Sequence, residues 1–252
     1  MMVRRREDDS GITLVELLVA ISLTTIVLAV VGTVFVGALR TLGVSNAKGD
    51  LTGLAEIAME TITGPLRAAD YAPPGQSEYS SAVLEASYNA VTVRSERYDQ
   101  PLADSLATSI LAANATSKVG LYLQSTKMVS KQVRYAYVAN AAPCGNKSGI
   151  TETVTSPRYS PSGNTIFVWD AAVTPIVSRC VLRSTTAPSL TAPLYSIFTY
   201  YADCVTTTED SAPLADFSDI GGIGIYLKAS DAKNNLIELK NRICLVNVKP
   251  NP

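Results

Sequence analysis

The sequence predicts an α+β fold in which one long N-terminal helix is followed by antiparallel strands, the helix laying an apolar stripe on one sheet face. Three observations carry this. From Ile12 to Leu39 the chain is almost unbrokenly apolar, with Glu16 its only ionisable side chain. From Leu51 to Leu66 apolar residues return every three or four positions, the spacing of one helical face. Beyond Tyr79 the period changes to the alternation of strands. At 252 residues, the chain accommodates one sizeable globular domain plus an anchor.

Met1 to Gly11 is a short polar leader containing Arg4, Arg5 and Arg6. Arginines just before a hydrophobic span hold that side in the cytoplasm, and the neighbouring Glu7, Asp8 and Asp9 count little in that rule. Residues 12–39 form the spanning half of the helix. At about 1.5 Å of rise per residue this run exceeds the roughly 30 Å hydrocarbon core of a bilayer. A conventional signal peptide has a shorter apolar core and a cut after it, and no small-residue cut site follows Leu39. The domain after the span is therefore expected outside the cytoplasm.

Residues 40–70 read as an amphipathic stalk. Leu51, Leu54, Ala58, Ile62 and Leu66 make its buried face, while Asp50, Glu56, Glu60 and Arg67 fall largely elsewhere around the cylinder. Gly64-Pro65 kinks or ends the helix, so its end is expected between Gly64 and Asp70. Residues 71–252 are the β-rich head. Tyr71 to Tyr79, with Pro73-Pro74-Gly75, is a loop. Strands are expected around Val91–Ser95, Val133–Val138, Ile166–Trp169, Ile176–Leu182, Ile197–Tyr201, Ile223–Leu227 and Ile237 through Val248. The last two flank the turn formers Ser230 to Asn235 and suggest a closing hairpin. Ala103 to Ser117, rich in Ala, Ser and Thr, is either a loop or a short helix.

Composition narrows the function. Net charge is −1, which gives no general attraction to nucleic acid, and histidine is absent. Most zinc sites and most general-base mechanisms lean on imidazole, so no catalytic constellation, cofactor or metal is expected. Asp216 and Asp219 near Gly221-Gly222 look like a calcium loop but read better as a solvated turn, since such cages need about six to eight oxygen ligands. Gly221-Gly222-Ile223-Gly224 enters a strand and makes a poor phosphate loop. Asn114-Ala115-Thr116 and Asn146-Lys147-Ser148 fit a glycosylation sequon that arises often by chance. Tyr135, Tyr137, Tyr195, Tyr200 and Tyr201, with Arg134, Arg179 and Arg183, form either an aromatic and basic surface for single-stranded nucleic acid or a glycan, or ordinary sheet packing.

Cys144, Cys180, Cys204 and Cys244 are even in number, dispersed and never in a CxxC spacing, which favours disulfides over metal binding. Three pairings exist. Cys144 with Cys180 and Cys204 with Cys244 is favoured because each links segments that read as neighbouring strands, with free, buried cysteines as the alternative.

The acid in the span is the unusual feature. A carboxylate within a membrane-length helix is costly and normally has a partner, yet no cation lies within reach along one helical face. The nearest positive charge would be a new amino terminus, created by a cut before Ile12. The pattern Gly11, Ile12-Thr13-Leu14-Val15-Glu16-Leu17 and a long apolar helix resembles the class III signal of type IV prepilins and pseudopilins. The resemblance implies a pilin-like fold and cleavage after Gly11 by a prepilin peptidase, with N-methylation at Ile12. It also implies that Glu16 pairs with the terminus of a neighbouring subunit. Ile12 stands where that family usually has Phe. Looser patterns resemble the J-type minor pseudopilins: Glu60 to Arg67, Gln132-Val133-Arg134-Tyr135, Cys180-Val181-Leu182-Arg183 and Phe198-Thr199-Tyr200-Tyr201. The expected role is a non-enzymatic minor subunit of a pilus or type II secretion pseudopilus, with other pilins as partners and the membrane as host before assembly. A pilus-tip ligand-binding module and a tethered domain unrelated to pili are the alternatives.

Overall fold

The structure, a computed structural model, describes residues 13–69, 82–160, 167–168, 176–183, 185, 196–202, 204, 217, 220–230 and 236–245. The chain divides into two compact units, Met1–Gly49 and Asp50–Pro252. Helix α1, Leu14–Arg67, runs through both and ends inside the expected interval. Pro65 lies within its last turn. There its missing N–H costs one hydrogen bond, and the ladder closes three residues on with the Ala68 N–H donating to the Gly64 carbonyl at 3.1 Å.

In the second unit, α1 buries Leu51, Ala55, Ala58, Met59, Ile62, Thr63 and Leu66. The stripe is the predicted one except at Leu54, which is 60% exposed. Leu54 lies about 60° around the cylinder from Leu51, on the far side from Ala55, because each residue turns about 100°. Ala55 takes the buried place instead.

The stripe rests on two antiparallel sheets. The first has the strand order β1-β2-β3-β4-β7, built from Val83–Ala86, Ala90–Tyr98, Met128–Ala141, Lys147–Thr155 and Ile176–Arg183. The second, β10-β9-β8, is Leu236–Cys244, Gly222–Ser230 and Phe198–Tyr201. An antiparallel bridge, Thr185 to Ala229, joins the chain just beyond β7 to β9. Leu66, Val93, Val133, Ile150, Phe198 and Ile225 from helix and both sheets share one core. The arrangement is the α+β one expected. The closing hairpin is present as nine paired positions from Leu236↔Ser230 to Cys244↔Gly222, while its turn residues lie outside the described residues. So do the loop at Tyr71 to Tyr79 and the ends of the Ile166–Trp169 strand, of which β6 is Phe167–Val168.

Of the two readings of Ala103 to Ser117 the structure takes the helical one: the segment lies mostly within α2, Gln100–Ala113, which is followed by α3, Lys118–Thr126. Asp99 accepts the Leu102 N–H as N-cap with a proline just inside, and Ser117 caps α3 in the same way. The pair is inserted between β2 and β3, whose ends Tyr98 and Met128 remain directly opposed. With Val129 and Phe167 it encloses a second, smaller core around Leu106, Ala107, Ile110 and Leu123. Helix α3, strands β1 and β4 and the short strand β5, Arg158–Tyr159, lie outside the expected elements.

Both predicted disulfides are present, Cys144–Cys180 and Cys204–Cys244, and no cysteine is free. The first constrains its surroundings tightly. A Cβ added at buried Gly149 would lie 2.5 Å from the Leu182 carbonyl oxygen and 2.6 Å from Cys144 Sγ. One is backbone in a paired strand and the other is covalently tied, so neither yields easily. Gly149→Ala is expected to destabilise the head by roughly 1–3 kcal/mol. A melting temperature equal to that of the parent chain would contradict this.

Candidate functional site

The first turn of α1 is a reciprocal cap. Thr13 is the last non-helical residue and Glu16 stands three positions later. The Glu16 N–H donates to Thr13 Oγ1 at 3.3 Å, while Glu16 Oε2 accepts both the Thr13 N–H and the Thr13 hydroxyl at 2.9 Å. Thr-x-x-Glu is the sequence form of a capping box, in which side chains satisfy donors that a helix end leaves open. Sequence reasoning missed this role. It treated Glu16 as an acid awaiting a partner, whereas within one chain its carboxylate already has two donors. Gly11 and Ile12, the expected cut site and methylation site, lie outside the described residues.

Along the span the polar side chains are turned onto the helix itself. Ser22, Thr24 and Thr25 donate to the carbonyls of Leu18, Ala20 and Ile21 at 2.7–2.8 Å, and Thr33 donates to Val30 at 2.8 Å. These are all the hydroxyl side chains between Leu14 and Leu39. A medium without water leaves a hydroxyl no other partner, so such back-bonding is what a lipid or helix-bundle environment requires. The remaining surface is large and apolar, with Leu14, Val15, Leu28, Val34 and Phe35 all more than 60% exposed. The helix is long and apolar enough to cross a membrane, its most apolar stretch having a mean hydropathy of 2.6.

In the head the aromatic and basic residues follow the second of their two readings, sheet packing, and no aromatic and basic surface is assembled among the described residues. Tyr135 and Tyr200 are fully buried and Tyr201 nearly so, beneath the Arg242 guanidinium 3.9 Å from its ring centre. Arg134 is paired with Glu85, and Tyr195 lies outside the described residues. The physical reason is alternation. Val133 and Tyr135 share the face of β3 that meets α1, so Tyr135 is a core residue with a polar tip.

That tip reaches the one deeply buried carboxylate of the described residues. Tyr135, Glu152 and Arg179 are directly opposed on β3, β4 and β7. The Tyr135 hydroxyl lies 2.8 Å from Glu152 Oε1 and 2.9 Å from the Thr61 carbonyl of α1. Arg97 donates to Glu152 Oε1 at 2.8 Å, and Arg179 donates to Oε2. Burial pushes the Glu152 carboxyl up, but Arg97, Arg179 and Tyr135 outweigh it and hold the group below the usual carboxylate range. Burial and the neighbouring Glu152 charge push the Tyr135 phenol up, so it stays a donor. Four strands, β2, β3, β4 and β7, and the helix meet at this one charge. Sequence reasoning gave Glu152 no role, since its cations come from distant strands. No group of three or more metal-ligating side chains occurs among the described residues, and Asp216 and Asp219 lie outside them.

A family model described as the prokaryotic N-terminal methylation motif matches residues 8–32. The match supports a type IV pilin-like class III signal, and with it a type IV pilin-like precursor. No curated protein matches the chain.

Proposed function

We propose that this chain is a minor pilin-like structural subunit, cut after Gly11, methylated at Ile12 and assembled through α1 into a pilus or a type II secretion pseudopilus, along its shaft or at its tip. The observation that carries this reading is the methylation motif at residues 8–32 seated on an apolar helix whose every hydroxyl between Leu14 and Leu39 is satisfied internally. Before assembly the helix crosses the cytoplasmic membrane once, with the head outside, where its two disulfides are at home. Assembly then moves α1 from lipid into a bundle of sibling helices. The carboxylate of Glu16 passes from its own cap to the new amino terminus of a neighbour, and that contact fixes axial register. The partners are a prepilin peptidase and other pilins, and the chain itself performs no chemistry. The J-type likeness in the stalk and strands favours a minor position.

Intact mass of the protein recovered from cell membranes tests the processing step. The expected mass begins at Ile12 and carries one extra methyl group. A working protein that keeps residues 1–11 would leave only a tethered head domain.

A further inference from the structure

We propose that the cleft between α2 and β5, Arg158–Tyr159, binds a small amphipathic organic anion, its acidic group on the Arg158 guanidinium and its apolar body against Leu102, Leu106 and Tyr159. The proposal is independent of filament assembly, because every lining residue belongs to the head.

The cavity measures about 910 Å³, the upper part of the range for sites that enclose a small molecule. Its walls are largely apolar: Leu102 and Leu106 from α2, Val154 and Pro157 from β4 and the turn after it, and Tyr159. Leu106 and Tyr159 are held from behind by the second core, so the apolar wall is preformed. The charged groups divide into committed and uncommitted ones. Lys131 is bound to Asp99 at 2.5 Å, and Asp99 also caps α2 through the Leu102 N–H at 3.2 Å. The Lys131 hydrogen bond holds the Asp99 carboxyl below its usual range, so the two charges cancel. Arg97 is committed to Glu152. Arg158 is exposed and forms no ion pair among the described residues, and the side-chain hydroxyls of Ser105 and Ser156 likewise have no hydrogen-bond partner there.

One guanidinium and two hydroxyls without a side-chain partner among the described residues, together with an apolar wall, define the ligand. Inorganic phosphate would use the cation and leave the wall wet. A nucleic acid needs a row of free cations, and here Lys131 and Arg97 are already engaged with carboxylates. A carboxylate carried on an apolar body uses all three features, with the guanidinium supplying a charge-assisted, two-pronged contact. Such an acid has two sources, an aliphatic chain or a flat ring system, and the wall accepts either.

The test uses the full chain in nanodiscs, with empty nanodiscs as the blank. Two probes, octanoate and 1-naphthaleneacetate, are each titrated beside the corresponding uncharged primary amide. At least one acid is expected to bind saturably, and at least about tenfold more tightly than its amide. Saturation by octanoate alone identifies an aliphatic acid, and by naphthaleneacetate alone a ring acid. Arg158→Gln, a surface change, is expected to reduce the acid to the affinity of the amide without moving the melting temperature. Ser105→Trp, on the exposed rim, is expected to fill the cleft and abolish binding of acid and amide alike. The proposal is overturned if neither acid saturates, if acid and amide bind equally, or if binding is unchanged in Arg158→Gln.

Discussion

Glu16→Ala is expected to enter the membrane as well as the parent chain and to be depleted from sheared filaments by an order of magnitude or more. Insertion depends on the apolar length of α1, which the substitution leaves intact and slightly more apolar. On the proposed function, assembly depends on the charge. In the single chain the carboxylate is held by the Thr13 N–H and hydroxyl, so two losses are confounded in the alanine variant: the cap and the pairing group. Glu16→Gln separates them. Glutamine serves the third position of a capping box as glutamate does, yet carries no charge to meet an amino terminus. If pairing sets register, the glutamine variant is missing from filaments like the alanine variant. Incorporation restored by glutamine would mean that Glu16 serves only to begin the helix, and Thr13→Ala would then reproduce the alanine defect.

Glu152→Ala carries the largest expected cost inside the head. It leaves Arg97 and Arg179 facing each other across a space that the buried carboxylate filled, with the Tyr135 hydroxyl reduced to the Thr61 carbonyl as its acceptor. Removing one member of a buried charge group costs about 3–5 kcal/mol, and the half-open positions of both arginines place this case near the lower end. A fall in melting temperature of roughly 6–12 °C follows for a domain of this size. The sign with pH is fixed as well. The folded carboxyl titrates below its unfolded value, so its contribution is complete above the unfolded pKa of roughly 4.3 and is lost as pH falls through the folded value. Thermal melts of the parent chain are therefore expected to drop below about pH 4.3, and to converge there on those of Glu152→Gln. A gap between the two that stayed constant down to pH 2 would remove Glu152 from this role.

These two glutamates also mark what the sequence could and could not disclose. The first lies in a local pattern: glycine, threonine and glutamate at fixed spacing before a long apolar run are read in a single window. The same holds for α1, for β3 and for the β9–β10 hairpin, where one period suffices. Strand β4 offered no such window. Lys147–Thr155 places Glu152 between Ile150 and Val154 on the face that should be apolar, and only Arg97 and Arg179, each distant along the chain, make that position tenable. Its Thr151, Thr153 and Val154 were the available signal, diluted by the acid. Helix α2 was legible in principle, since Asp99 and Pro101 announce a start and Leu102, Leu106 and Ile110 recur at fours. Its alanines and serines masked that stripe. The cleft at Arg158 follows no pattern at all. It exists because α2 and β5 happen to be packed side by side on one small core.

Because Tyr98 and Met128 stand opposite each other in the ladder, everything from Asp99 to Lys127 leaves the sheet and returns to the same place. The helical excursion behaves as a cassette. Its length, its tip and even its presence can change while strand register stays fixed, provided that Val129 and Phe167 remain covered. The excursion can therefore vary without shifting the sheet on which the stripe of α1 rests.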